Sequence, residues 1–72
     1  MDPQQEFLVM LGKQIKRARQ AQDMTQDQLA EKAGISRSML NLIENGSNPT
    51  VATIYKIAMA LKMGLDVQFF RV

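Results

Sequence analysis

Five side chains between positions 37 and 45 have the chemical types that read the edges of base pairs. In a helix, residues three and four positions apart share a face, and here that face is opposite Leu40 and Ile43. The residues on this face are Arg37, Ser38, Asn41, Leu42 and Asn45. Arginine pairs with guanine and asparagine with adenine, serine can donate or accept, and an apolar side chain fits the thymine methyl group. No acidic residue of this helix shares the face. The helical wheel alone is equally consistent with base reading and with an ordinary solvent-exposed face.

Gln26 is a second candidate, at the predicted start of the preceding helix. Free N–H groups and the helix dipole make such a position suitable for a phosphate. The spacing alone favours a glutamine that is merely solvated. Arg19 and Glu44 follow the apolar faces of their helices and are predicted to pair at the edge of a common core, in a structural rather than catalytic role.

The hydroxyl residues of the chain are better placed as helix caps than as nucleophiles. Thr25, Ser36 and Thr50 each precede an apolar periodic segment. The sequence contains no His to activate them, and no paired carboxylates face a common cleft. With no Cys or His, disulfides and the commonest metal ligands are also missing. The sequence therefore predicts neither an enzyme nor a cofactor.

Four helices must position these residues. Asp2 and Pro3 begin a helix at about 3–22, and Thr25 with Gln28 forms a capping box for one at about 25–33. Gly34 and Gly46 are suited to end the second and third helices, and the third ends near Asn45. A fourth helix is expected at about 51–63, ended by Gly64. Two short helices joined by a tight Gly turn predict a helix-turn-helix over about 25–45.

The last eight residues follow a period of two instead. Apolar residues alternate with Asp66 and Gln68, which predicts a strand over about 65–72. The apolar residues are Leu65, Val67, Phe69, Phe70 and Val72. Because a lone strand has no partner inside its own chain, the same segment of a second copy is the simplest partner, and a homodimer is predicted.

Size and composition agree with one small domain over 1–72. A chain of 72 residues is marginally stable without help, which makes oligomerisation attractive. The net charge of +2 permits an anionic partner without requiring one. No segment is suited to cross a membrane and the start is unlike a signal peptide, so a cytoplasmic protein is expected.

The run from Thr25 to Ser38, followed by Leu40 and by Ile43 to Gly46, closely resembles the phage repressor and Cro type of helix-turn-helix. The similarity extends upstream to Arg19 and the segment 11–15, and downstream through 48–50 and 57–61. It covers roughly residues 8–66. It implies an all-α, repressor-like fold of four or five helices that binds double-stranded DNA, in a prokaryotic or phage setting on the nucleoid.

The resemblance implies a role for each matching position. Arg37 and Ser38 match the principal base-reading positions, Leu42 matches a third, and Asn41 lies close enough to reach a base or a phosphate. The positions implied to contact the DNA backbone are Thr25, Gln26, Asn45, Ser47 and Asn48. Arg19 and Glu44 match a structural ion pair. Leu42 departs from the usual polar or basic residue, so readout there is expected to be apolar.

The C-terminal segment 65–72 also differs from that of relatives with a fifth helix. It is similar to the C-terminal segment of antitoxins that dimerise through a strand. The sequence therefore predicts a dimeric transcription regulator, a repressor on a palindromic operator, without a small-molecule effector. One alternative is an antitoxin that also represses its own operon and binds a toxin protein. Others are the DNA-binding head of a longer repressor, and a protein-interaction adaptor that reuses the fold.

Overall fold

A computed structural model describes residues 2–72 and contains four α-helices. They are α1 (Pro3–Ala21), α2 (Gln26–Ala33), α3 (Arg37–Glu44) and α4 (Val51–Ala60). Over residues 2–72 no strand is formed. The prediction of an all-helical fold with four helices is therefore confirmed. None of the four helices is both long enough and apolar enough to cross a lipid bilayer.

Each helix begins at the polar residue that the sequence predicts as its cap. The Asp2 side chain accepts from the Gln5 backbone N–H at 2.7 Å, and Ser36 and Thr50 accept equivalent bonds. Thr25 and Gln28 form the reciprocal capping box, with bonds of 3.1 and 2.8 Å. These side chains satisfy backbone donors that the first turn of a helix leaves free.

Helices end through residues in the left-handed conformation, although not always through the expected one. Gly34 ends α2 with φ of 72° and Gly46 follows α3 with φ of 100°. The fourth helix ends at Ala60, before the predicted 63, because Lys62 rather than Gly64 is left-handed, with φ of 57°. The Met63 N–H then donates back to the Ala58 carbonyl, as in a helix-ending turn.

The core lies where the four helices meet. Leu29 and Leu40 are completely buried and Ile57 nearly so. Helix α2 packs on both α3 and α4, while α1 packs on α3. The remaining members of the cluster are Ile15, Ala30, Ala33, Ile43 and Leu61. This packing holds α2 and α3 at a set angle with the outer face of α3 exposed.

The predicted strand at 65–72 is wrong for the chain as described. Residues 63–72 have no regular secondary structure and all of them are exposed. A strand is defined by hydrogen bonds to a neighbouring strand, and the rest of this chain is helical, so its own residues supply no partner. Apolar and polar residues alternate as they do in a strand, but this segment lacks the backbone hydrogen bonds to a neighbouring strand that normally accompany the alternation.

Candidate nucleic-acid interface

The outer face of α3 carries the residues that the helical wheel groups together. All of its members are exposed: Arg37, Ser38, Asn41, Leu42 and Asn45. On the opposite face, Leu40 is 0% exposed and Ile43 3%. The sequence prediction of one buried and one outward face of this helix is therefore confirmed. The exposed face offers one cation, several hydrogen-bonding groups and the apolar surface of Leu42.

The start of α2 lies beside this face. Gln26, Arg37, Ser38 and Asn41 together line a polar depression of about 200 Å³. The first N–H groups of a helix have no partner within the helix, and the N-terminal end attracts anions. Thr25 caps Gln28 but leaves the N–H groups of Gln26 and Asp27 at that end. The depression therefore joins a group of side-chain donors to the positive end of a helix dipole.

A buried ion pair connects α1 to the inner edge of α3. Arg19 Nε donates to Glu44 Oε2 at 2.8 Å and Arg19 Nη2 donates to Glu44 Oε1 at 3.1 Å. The two residues are only 8% and 6% exposed. Arg19 Nη1 also donates to the Met24 carbonyl at 2.8 Å. The two hydrogen bonds to the Glu44 carboxylate hold the end of α3 on α1, and the bond to the Met24 carbonyl holds the segment before α2 on the same arginine.

The ion pair continues outward to the exposed face through Gln26. Its Nε2 donates to Glu44 Oε1 at 3.1 Å and to Asn41 Oδ1 at 3.2 Å. Asn45 Nδ2 donates to the Asn41 carbonyl at 2.7 Å and lies 3.4 Å from Asn41 Oδ1. A continuous series of hydrogen bonds therefore runs from buried Arg19 to solvent-exposed Asn41, and sequence spacing alone does not reveal it.

The fold brings one acidic residue to the outer face from another helix. Asp27 Oδ1 lies 3.5 Å from Arg37 Nε, and both side chains are mostly exposed. The helical wheel of α3 contains only residues of α3, so it does not predict this contact with α2. An exposed pair of this kind is weak, about 0–1 kcal/mol, and leaves Arg37 free to exchange Asp27 for another partner.

The turn after α3 places the other predicted backbone-contacting residues. Ser47 and Asn48 are both exposed. The Ser47 N–H donates to the Leu42 carbonyl at 3.0 Å, which ties the loop to the end of α3. Asn48 is at the rim of a cleft that Phe7 and Val51 also line. These two loop residues therefore lie at the end of α3 opposite Arg37.

Comparison with known proteins matches residues 15–68 to the family described as Helix-turn-helix, HTH_3. The chain belongs to this family. It is 45% identical over 60 residues to the HTH-type transcriptional regulator SutR of Escherichia coli (strain K12), an alignment that covers 82% of this chain and 32% of SutR. It is 46% identical over 52 residues to the immunity repressor protein of Bacillus phage phi105, covering 71% and 36% respectively. The chain thus spans about a third of the length of each of these relatives.

A solved structure of similar size has the same fold. The restriction-modification controller protein C.AhdI from Aeromonas hydrophila superposes with a TM-score of 0.80 at 32% sequence identity. The superposition covers 82% of this chain and 91% of C.AhdI. Helices α2 and α3 are accordingly the helix-turn-helix, and the prediction of a repressor and Cro type of helix-turn-helix is confirmed.

Sequence reasoning missed one residue on which the position of the helix-turn-helix depends. Gly12 lies buried in α1, on the stripe that also contains Leu8, Ile15 and Arg19. A Cβ atom added there would lie 2.5 Å from the Ile43 carbonyl oxygen and 2.7 Å from that of Glu44. The signal was present, because a glycine inside a helix costs about 1 kcal/mol and usually has a packing reason.

The C-terminal residues lie away from the outer face of α3 in this helix-turn-helix chain. Leu65 and Val67 line a cleft together with Phe7 and Leu11 of α1. Beyond them, Phe69 is 96% exposed and Phe70 82%. The C-terminal residues therefore do not line the depression at Gln26, Arg37, Ser38 and Asn41, whereas Asn48, predicted to contact the DNA backbone, lines the same cleft as Leu65 and Val67.

Proposed function

We propose that the chain is a sequence-specific DNA-binding transcription regulator that represses by occupying an operator. One observation carries the proposal: an exposed face of α3 presents Arg37, Ser38, Asn41 and Leu42 beside the free N-terminus of α2. In a helix-turn-helix the second helix enters the major groove and its N-terminal residues contact base edges. The likeness to a phage immunity repressor supports repression as the outcome.

The proposed contacts divide into two groups. Arg37, Ser38, Asn41 and Leu42 read base edges, with Leu42 placed against a thymine methyl group. The second group contacts phosphates and sets position without sequence preference. Its members are Thr25, Gln26, Asn45, Ser47 and Asn48. For Gln26 this contact is made through the backbone N–H at the start of α2, because both hydrogens of its Nε2 already have acceptors.

Selection of bound duplexes from a random pool tests the proposal. A repeated half-site in inverted orientation, spaced so that the two recognition helices lie about 34 Å apart, is the expected result. Enrichment of no sequence, with binding that depends only on salt, would contradict specific recognition and favour the adaptor alternative.

Arg37→Ala is expected to weaken binding to the selected operator by about 1–3 kcal/mol and to relax the preference at one base pair. The physical reason is the loss of a bidentate contact to a guanine. Titration of the variant against operators that differ at single base pairs measures the effect. Lys56→Ala, which removes an exposed cation from α4, is the control and should leave the pattern of preference unchanged. A loss from Arg37→Ala that is equal at every sequence would show that Arg37 contacts only phosphate.

The proposed regulator acts as a homodimer, and the apolar C-terminal residues are its contact. Phe69 and Phe70 are almost fully exposed and are followed by Val72, which is exposed as well. Burial of apolar area favours association, and a small chain gains most from it. A dimer also matches the two-fold symmetry of a palindromic operator.

Replacing both Phe69 and Phe70 with serine is expected to convert the dimer to a monomer and to weaken operator binding, while the helical content stays unchanged. Sedimentation equilibrium with circular dichroism measures both properties. Tyr55→Ser, at an exposed aromatic residue of α4, is the control. A double variant that remains dimeric would place the interface elsewhere. A parent chain that is monomeric at micromolar concentration would favour the head of a longer repressor.

A further inference from the structure

Asn41 presents only one of its two hydrogen-bonding groups to the exposed side of α3. Its Oδ1 accepts from Gln26 Nε2 at 3.2 Å and lies 3.4 Å from Asn45 Nδ2. A side-chain amide has one oxygen that accepts and one nitrogen that donates. With the oxygen occupied inside the protein, the nitrogen remains for an outside partner, since no side-chain or backbone acceptor among residues 2–72 binds it.

The orientation of these amides follows from the charge at Glu44. A carboxylate only accepts, so the Gln26 atom 3.1 Å from Glu44 Oε1 must be the amide nitrogen. The same nitrogen lies 3.2 Å from Asn41, and a nitrogen that donates there requires the oxygen of Asn41. Arg19 holds the Glu44 carboxylate in place through two bonds. The buried ion pair thus determines which amide atom of Gln26 faces Asn41, and Gln26 in turn determines which amide atom of Asn41 faces outward.

We infer that Gln26 is a positioning residue that leaves Asn41 only a hydrogen-bond donor for the major groove. Gln26 thereby restricts which bases Asn41 can bind. This inference rests on the proposed function. An asparagine with both groups free pairs bidentately with adenine N6 and N7. An asparagine with only its nitrogen free can donate to guanine N7 or O6, to thymine O4 or to adenine N7. It leaves the amino groups of adenine and cytosine without an acceptor, so adenine loses the second bond of its bidentate pair while guanine offers only acceptors to the nitrogen.

A specific base preference follows. At the base pair that faces Asn41, the parent chain prefers guanine or thymine over adenine and cytosine on the contacted strand. The base pair is identified by Asn41→Ala, which removes the preference at that position alone. Bidentate pairs discriminate by about 1–3 kcal/mol, which is roughly 5-fold to 150-fold. Because Gln26 occupies Asn41 Oδ1, the bond from adenine N6 to that oxygen is missing, and adenine loses the preference that this bond would contribute.

The test is sequence selection with Gln26→Met, which keeps the length of the side chain and removes the amide. The variant frees Asn41 Oδ1 from its partner at 3.2 Å, so adenine is expected to gain at least about fivefold at that base pair relative to the parent chain. In the Asn41→Ala background the same substitution should change no preference, as a double-mutant cycle requires. Gln20→Met, at an exposed position of α1, is the matched control.

Gln26→Glu supplies a second variant with a different expected pattern. A carboxylate at position 26 only accepts, so it is repelled by the Glu44 carboxylate and cannot keep the bond to Asn41 Oδ1. Affinity for all sequences falls because of the added negative charge, while adenine gains at the Asn41 base pair as it does in Gln26→Met. A merely structural role of Gln26 would alter stability and overall affinity without any change in base preference.

The outcomes separate this inference from the proposed function. An operator that is selected equally by the parent chain and Gln26→Met, with the same base opposite Asn41, overturns the inference and leaves the proposed function standing. A uniform loss of affinity in Gln26→Met with unchanged preference also overturns it and assigns the side chain of Gln26 to a phosphate. Failure of every variant and of the parent chain to enrich any sequence overturns the proposed function and the inference together.

Discussion

Glu44→Ala is expected to lower the free energy of unfolding by about 3–5 kcal/mol. The substitution leaves Arg19 as an unpaired charge that is only 8% exposed, and desolvation of that charge is no longer offset. It also removes the acceptor of Gln26 Nε2, so the outer face of α3 loses its internal support. A chain of this size has a total stability of about 4–11 kcal/mol, so the variant should lose a large share of it.

Urea unfolding followed by circular dichroism measures this effect. Asp27→Ala is the matched control, because Asp27 also pairs with an arginine but on the surface. An exposed pair contributes about 0–1 kcal/mol, so the control should lie close to the parent chain. Equal losses from the two substitutions would contradict the assignment of a stabilising role to the buried pair. Glu44→Gln, which keeps an acceptor oxygen for one bond, is expected to fall between them.

Gly12→Ala is expected to lower the free energy of unfolding by up to about 2 kcal/mol, after about 1 kcal/mol is regained from the better helix propensity of alanine. The added methyl group would lie 2.5 Å from the Ile43 carbonyl oxygen, which is backbone and cannot turn away as a side chain could. Overpacking of this kind costs about 1–3 kcal/mol, and α1 must move away from α3 to relieve it. Such a movement would also lengthen the bonds between Arg19 and Glu44.

Substitutions at two other glycines distinguish the cost of close packing from the cost of backbone strain. Gly64 has open space around it and no positive φ, so Gly64→Ala should change stability by less than about 0.5 kcal/mol. Gly34 also has open space but has φ of 72°, so Gly34→Ala should cost about 1–2 kcal/mol through strain alone. Gly12→Ala with the stability of Gly64→Ala would show that α1 and α3 are not in the close contact described.

Local signals explain why the helices could be predicted closely. Asp2, Thr25, Ser36 and Thr50 cap donors within three residues of themselves, so the cap and its helix are specified by a short stretch of sequence. The period of Leu40 and Ile43 likewise needs only one helix to orient it. The end of α4 was predicted three residues too late because Lys62 adopts a left-handed conformation that a glycine was expected to take.

The helices, their caps and the outward face of α3 follow from local sequence, since propensity, capping and periodicity act over a few residues. The contacts that the residues of that face make with other helices depend on the packing of the whole fold. The partners of Gln26 on α3, the approach of Asp27 to Arg37 and the close packing at Gly12 all join residues on different helices. Their distances depend on how the helices pack, and no short-range pattern encodes that. The unpaired C-terminal segment has the same cause, because alternation specifies the side chains of a strand but only another chain segment supplies its hydrogen bonds.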